Sequence, residues 1–215
     1  MIRVNIICEG STEEQFVHKL LAPHFLSKGI IVVTRNLGKG DSYDKLRYNI
    51  VQWMKEDKSA FLTTLIDLYG MNRRFPGYDE NKHKPPLDKV IAIEAAVKDD
   101  LAKEGLDTRQ FIPHFQLHEF EALLFSSPDD LHAWLSIDRP IRKGVFQAIR
   151  DDFETPEHIN DDPNTAPSKR ILKAVPSYSK VAEGVLIAEE IGLEKMRAAC
   201  LHFNAWMTQL ESLAP

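Results

Sequence analysis

The chain of 215 residues holds only two cysteines, Cys8 and Cys200, and no Cys-x-x-Cys pair. A zinc ribbon and a disulfide framework are therefore excluded. Cys8 lies in an apolar run and reads as a small buried hydrophobe. No run of about 18 apolar residues occurs, so no membrane span is expected. The opening MIRVNIICEG lacks the long apolar core and small-residue cleavage site of a signal peptide, which makes the cytoplasm the expected compartment. An excess of positive charge is also missing: 27 Lys+Arg stand against 32 Asp+Glu, a formal net charge of -5. That argues against a generic basic nucleic-acid binder, but not against one whose own acids hold metal ions. There is no GxxxxGK phosphate loop, no HExxH and no GxSxG elbow.

What is present is an ordinary foldable composition, 43% apolar and 27% charged. The length suits one large domain or a domain with an appendage. Residues 3–8 (RVNIIC) form a β-branched run suited to a buried strand. Glu9-Gly10 breaks it, and Ser11 with Glu14 reads as a capping box opening a helix through about Ser27. IIVVTR, residues 30–35, reads as a second buried strand, followed by the Gly-rich NLGKGDS. Leu46, Ile50, Trp53 and Met54 give residues 43–57 the spacing of an amphipathic helix. FLTTLI is a third strand, ending at Asp67. Residues 71–87 read as a long polar insertion of the functional or mobile kind. A helix over 89–104 and a fourth strand over 111–117 follow, with Pro113 pointing to an edge position.

Alternating strands and helices predict an α/β fold with a mostly parallel four-stranded sheet flanked by helices. The pattern changes after Leu117. HEFEALLF and residues 128–135 read as short helices, 151–165 as an acidic, turn-rich stretch, and 181–213 as mostly helical. There Met196, Cys200, Phe203, Met207, Leu210 and Leu213 recur at helical spacing, the mark of a core stripe. The expected division is a sheet domain over residues 1–121 and a helical C-terminal appendage over 122–215 packed on it.

In open parallel sheets, sites form at the carboxyl ends of strands. Glu9 ends strand one, Asp67 ends strand three, and strand four runs into Glu119 and Glu121. Glu13, in the first helical turn, either faces that cluster or is an exposed acid favoured by the helix dipole. Gathered carboxylates raise one another's pKa or recruit a cation, and hard oxygen ligands suit Mg²⁺ or Mn²⁺. Such ions activate water and stabilise a leaving oxygen in phosphodiester cleavage. Any one of these acids, taken alone, also reads as a solvated strand end.

The segment CEGSTEEQF after the first strand resembles the opening motif of Toprim domains, as in topoisomerase-primase domains and overcoming-lysogenization-defect nucleases. LIDLYG, RRFPGY, LHEFEALLF, PEHINDDPNTAPSKR and CLHFNAW together resemble a bacterial family of small stand-alone Toprim-like proteins, catalogued mainly as a domain of unknown function. The resemblance implies a Toprim-like, Rossmann-like fold and a Mg²⁺-dependent nuclease. Glu9 matches the Toprim glutamate and Asp67 the first aspartate of DxD, while Tyr69 stands at the second. Glu119 or Glu121 is the candidate replacement. The resemblance also implies a role in mobile-element defence beside an ABC-type ATPase partner.

A phosphate substrate needs cations. Lys39 in the Gly-rich loop, Arg73 and Arg74 in the insertion, and Lys169 and Arg170 after the acidic stretch are the candidates for nucleic-acid contact, with Lys39 also placed beside the catalytic acids Glu9, Asp67 and Glu121. Phe75 and Tyr78 interleave with the basic residues of the insertion and suit base stacking. His114 and His118 invite a zinc reading, but no matched ligand set accompanies them. Two rivals stand beside the nuclease: a non-catalytic nucleic-acid-binding or regulatory subunit, favoured by Tyr69, and a small-molecule phosphatase.

Overall fold

A computed structural model describes residues 1–38, 42–69, 71–159, 162, and 164–214. The chain is a mixed α/β protein that divides into two compact units, Met1–Gln116 with the last residues from Leu210, and Leu117–Gln209.

The first unit is built on a five-stranded sheet whose described pairings are all parallel. Strand β1 (Ile2–Cys8) lies between β2 (Ile30–Asn36) and β3 (Phe61–Asp67), and β3 pairs onward with β4 (Phe111–Ile112) and β5 (Phe115–Gln116). The chain leaves β1 to one side for β2 and returns to its other side for β3. The topological switch point therefore lies between β1 and β3. β1 and β3 are central and read as continuous buried runs, with Ile6, Ile7, Leu65 and Ile66 at most 1% exposed.

β2 differs from the buried strand expected of IIVVTR. It occupies the edge, and Ile31 and Val33 are exposed. A β-branched run is compatible with either place, because its composition reports the pleated backbone and not the number of neighbours.

The first helix starts one residue earlier in its capping register than Ser11/Glu14 suggests. Gly10 is the N-cap, and its N–H donates to Glu13 Oε2 at 3.1 Å. Glu14 instead accepts from Thr34 Oγ1 (3.2 Å) and Asn36 Nδ2 (3.1 Å), tying the helix to the end of β2. Helix α1 (Ser11–Phe16) runs through a π turn at Val17–Leu21 into α2 (Ala22–Leu26), burying Phe16, Leu21 and Phe25. Helix α3 (Tyr43–Glu56) follows the predicted stripe, with Leu46, Ile50 and Trp53 buried.

The insertion after β3 is packed rather than purely polar. It carries the short helix α4 (Tyr78–Asn81) and ends at α5 (Pro86–Lys103), which begins three residues before the predicted start at 89. Phe75 is buried against the rings of Tyr43 and Phe115, at centroid distances of 5.5 and 6.3 Å. It cannot stack on a base from there. Gly77 has φ +76°, and a Cβ on it would stand 2.7 Å from Ala96 Cβ, so the insertion approaches α5 closely.

The predicted fourth strand is split. Pro113 has no N–H, and the ladder breaks into β4 and β5. The buried Thr64 hydroxyl bridges the gap, accepting from the His114 N–H at 2.9 Å and donating to the His114 carbonyl at 2.7 Å.

The second unit is helical. It comprises a 3₁₀ segment at Phe120–Ser126, α6 (Pro128–Leu135), α7 (Val145–Asp151), a 3₁₀ turn at Pro156–His158, α8 (Pro167–Ala174), a π turn at Lys180–Gly184, α9 (Val185–Ala199) and most of α10 (Leu201–Glu211). The stretch expected to be mostly helical over 181–213 is so, broken at Gly192, with φ 79° and ψ 155°, and at Cys200. The expected core stripe is present: Met196, Cys200, Phe203, Met207 and Leu210 are all inaccessible to solvent. Leu213 is only half-buried. No helix among the described residues is long and apolar enough to cross a membrane.

The Thr64 bridge makes a specific prediction. Thr64→Val should lower unfolding stability by roughly 1–3 kcal/mol for each buried backbone group that loses the hydroxyl, while Thr64→Ser should retain most of it. Urea denaturation of the two variants at unchanged m-value checks this. Equal stabilities of the Val and Ser variants would remove the bridge from the account.

Candidate functional site

Two carboxylates flank the switch point in the first unit. Glu9 follows β1 directly, and its N–H donates to the Leu65 carbonyl of β3 at 3.0 Å. The Asp67 N–H, at the end of β3, donates to Glu9 Oε2 at 2.7 Å. Asp67 is held from its other side too, since it pairs with Gln116 of β5, and the next N–H, of Leu68, donates to the Gln116 carbonyl at 2.8 Å. Parallel pairing alone thus brings together residues that are far apart in sequence.

Glu13 stands in the first turn of α1. It is 3% exposed, and its Oε2 is fixed by the Gly10 N–H. The ambiguity over Glu13 is thereby resolved towards a buried, backbone-oriented carboxylate rather than an exposed first-turn acid. Cys8, at the end of β1, registers this environment. Burial, and then the charges of Glu13 and Glu14, push its thiol far above the usual range. That fits the expected inert hydrophobe and excludes a reactive thiolate. Tyr69 is half-buried just past Asp67.

The cations expected near these acids fall into separate places. Lys39 lies outside the described residues. Arg73 and Arg74 are exposed and, with Ser42 and Asn72, line an open cavity of about 410 Å³. Ser42 precedes α3, and Asn72–Arg74 follow β3. Tyr78 carries Lys89 Nζ over its ring at 4.6 Å.

The remaining candidates belong to the second unit. Glu119 is extended (φ -141°, ψ 156°) and caps the 3₁₀ segment. Its carboxylate accepts from the Ser168 N–H at 2.9 Å and from Ser168 Oγ at 3.1 Å, capping the start of α8. Glu121, inside the 3₁₀ segment, is fully buried, and Lys180 Nζ lies 3.3 Å from its Oε2. Neighbours in sequence, the two acids thus take different partners. Burial raises the Glu121 carboxyl to about 7; the Glu119 charge adds to this, and Lys180 opposes it. Between Leu117 and Glu119, His118 has φ 62°, the one positive φ outside glycine among the described residues.

Lys169 is exposed. Arg170 donates from Nε to the Thr165 carbonyl at 2.7 Å and lays its guanidinium over Phe153 at 5.0 Å. One acid of that stretch is structural. Glu157 is 2% exposed and accepts the His202 and Phe203 N–H groups, both at 2.9 Å, at the start of α10.

The partners Ser168, Lys180, Thr34 and Asn36 carry no local signal for their glutamates. Pro167 in APSKR is a local signal for a helix start, but not for the carboxylate that caps it.

The Glu121 environment fixes a pH dependence. A folded value above the unfolded one means that the native state holds the extra proton. The resulting stability is fully present below about 4.5 and is lost as pH rises through about 7. Glu121→Gln should flatten the fall in stability between pH 5 and 8 by on the order of 3 kcal/mol. Chemical denaturation of both proteins across that range is the check, and parallel profiles would contradict it.

No curated protein and no solved structure matches the chain. The family described as "Domain of unknown function (DUF4276)" matches residues 8–211, nearly the whole length, and the chain belongs to that family.

Proposed function

We propose that this protein is a Mg²⁺- or Mn²⁺-dependent phosphodiesterase of the Toprim type that cleaves nucleic acid. The observation that carries the reading is the meeting of Glu9 and Asp67 across the switch point, joined by the 2.7 Å hydrogen bond. The donors fit a hard divalent ion: Glu9 and Asp67 offer carboxylate oxygen only, with no thiolate or imidazole between them. A main-chain N–H group sets the orientation of Glu9, so this donor is positioned before any ligand arrives.

A bound divalent ion would supply Lewis-acid chemistry, lowering the pKa of water and stabilising the leaving oxygen. The chain supplies the rest. Glu9 and Asp67 would hold the ion at the carboxyl ends of β1 and β3. Arg73 and Arg74, exposed on the segment after β3, meet the phosphates of the strand. In this reading Glu119 and Glu121 serve α8 and Lys180 rather than the ion. An ABC-type ATPase of a defence system is the partner that this reading adds.

The test is cleavage of labelled DNA and RNA in Mg²⁺, Mn²⁺ or EDTA. Metal-dependent cutting should fall by about tenfold to a hundredfold in Glu9→Gln and in Asp67→Asn, as expected when a metal's surroundings are disrupted. Binding without cutting in every metal would replace the enzyme by the non-catalytic subunit. Turnover confined to mononucleotides would replace it by the small-molecule phosphatase.

A further inference from the structure

The first unit contains a cleft of about 390 Å³ beside the amino ends of β3 and β4. Its size lies within the roughly 300–1,000 Å³ of small-molecule sites. The end of α3 supplies Trp53 and Met54, the approach to β3 supplies Ala60 and Leu62, and the turn after α5 supplies Leu106. One residue of the central strand β1, Asn5, lines the same cleft. Asn5 pairs with Leu62 in the parallel register, so both side chains stand on the same face of the sheet.

Asn5 is the unusual member of this lining. It is 3% exposed, yet its carboxamide forms no hydrogen bond among the described residues. A buried polar group without a protein partner costs stability, and a leucine of similar shape would not carry that cost. A polar side chain retained on an apolar face at such a cost fits a group kept for a ligand. Gln110, half-buried just before β4, brings a second carboxamide that also has no partner among the described residues. The charged groups of the lining make no such demand. Asp57 pairs with Arg3 and Asp107 with Arg109, while Lys55 and Lys58 are exposed to solvent. The cleft therefore suits an apolar body whose edge carries a hydrogen-bond donor beside an acceptor. A hydrocarbon would leave the Asn5 carboxamide unsatisfied, and an ion would be desolvated against neutral walls.

We propose that this cleft binds a nucleobase, its donor–acceptor edge on the Asn5 and Gln110 carboxamides and its rings against Trp53, Leu62 and Leu106. A carboxamide makes a two-point contact with the amino group and adjacent ring nitrogen of adenine. The site goes beyond the phosphodiesterase reading, because it requires neither the metal nor Glu9 and Asp67. Asn5 stands four residues before Glu9, on the order of 13 Å along the strand, and the cleft lies at the opposite ends of the strands from those acids. Two sources share this chemistry, a free base and a base within a single strand.

The test is calorimetric titration of the full chain in EDTA with adenine, with purine, which lacks the exocyclic amino donor, and with a short single-stranded oligoadenylate. Adenine should bind at least about tenfold more tightly than purine, the scale of one hydrogen bond to a buried group that otherwise lacks a partner. Asn5→Leu should bring adenine down to the affinity of purine while thermal stability stays equal or rises. Gln110→Leu should weaken adenine severalfold. Gln110 is half-buried and has no side-chain partner among the described residues, so this variant decides the matter if Asn5→Leu does not fold. An oligoadenylate that displaces adenine identifies the strand as the source, and one that does not identifies the free base. Adenine binding no better than purine, or a preference unaltered in the variants, would overturn the proposal. EDTA keeps the result independent of metal-dependent cleavage, so the two readings fail separately.

Discussion

The hydrogen bond from the Asp67 amide to the Glu9 carboxylate is the interaction on which the candidate site depends. It exists because β1 sits between β2 and β3. The reversal of strand order at β1 opens the crevice in which open α/β sheets place their ligands. The parallel register of β1 and β3, with Cys8 opposite Leu65, brings Glu9 beside Asp67. The 3.0 Å bond from Glu9 N–H to the Leu65 carbonyl continues that ladder one step further. A one-residue slip of register would turn the alternating side chains to opposite faces and separate the pair. The position of the acids is thus a consequence of the same apolar strands that build the core.

Carboxylates in the second unit do different work. Glu119 and Glu157 are buried and each receives main-chain N–H groups at the start of a helix, α8 and α10. These are the donors a helix cannot satisfy internally, and a carboxylate there also meets the positive end of the helix dipole. Glu183 accepts the Ser179 N–H at 2.8 Å and pairs with Arg139. Glu121 is the costly member, fully buried with Lys180 opposing a strong desolvation penalty. Abundant acid in this chain therefore does not by itself mark a metal site; the partner of each acid decides its role.

Much of the first unit was legible in its sequence. β-branched runs ending in Cys8 and Asp67, and the spacing of Leu46, Ile50 and Trp53, report local backbone preference and burial directly. Edge against centre was not legible in IIVVTR, because exposure of Ile31 and Val33 depends on which strand lies alongside. Phe75 looked like a loop aromatic, but the ring is buried against Tyr43 and Phe115, a contact set by tertiary packing. The break at Pro113 was half-visible: the missing N–H could be read, whereas the repair by Thr64 came from a residue 50 positions away. Glu9 and Asp67 were readable as strand-end acids from topology rules alone, whereas Glu13 stayed open between an exposed first-turn acid and a member of the cluster. Ser168 and Lys180, the partners that give Glu119 and Glu121 their roles, were not.

The central claim is that Glu9 and Asp67 hold a divalent cation at the switch point. The most direct measurement is Mn²⁺ binding followed by electron paramagnetic resonance in the wild type, Glu9→Gln and Asp67→Asn. The account predicts saturable Mn²⁺ uptake, displaced by Mg²⁺ and strongly weakened in both variants. Saturable uptake that persists unchanged in both variants, or no uptake by the wild type, would contradict it.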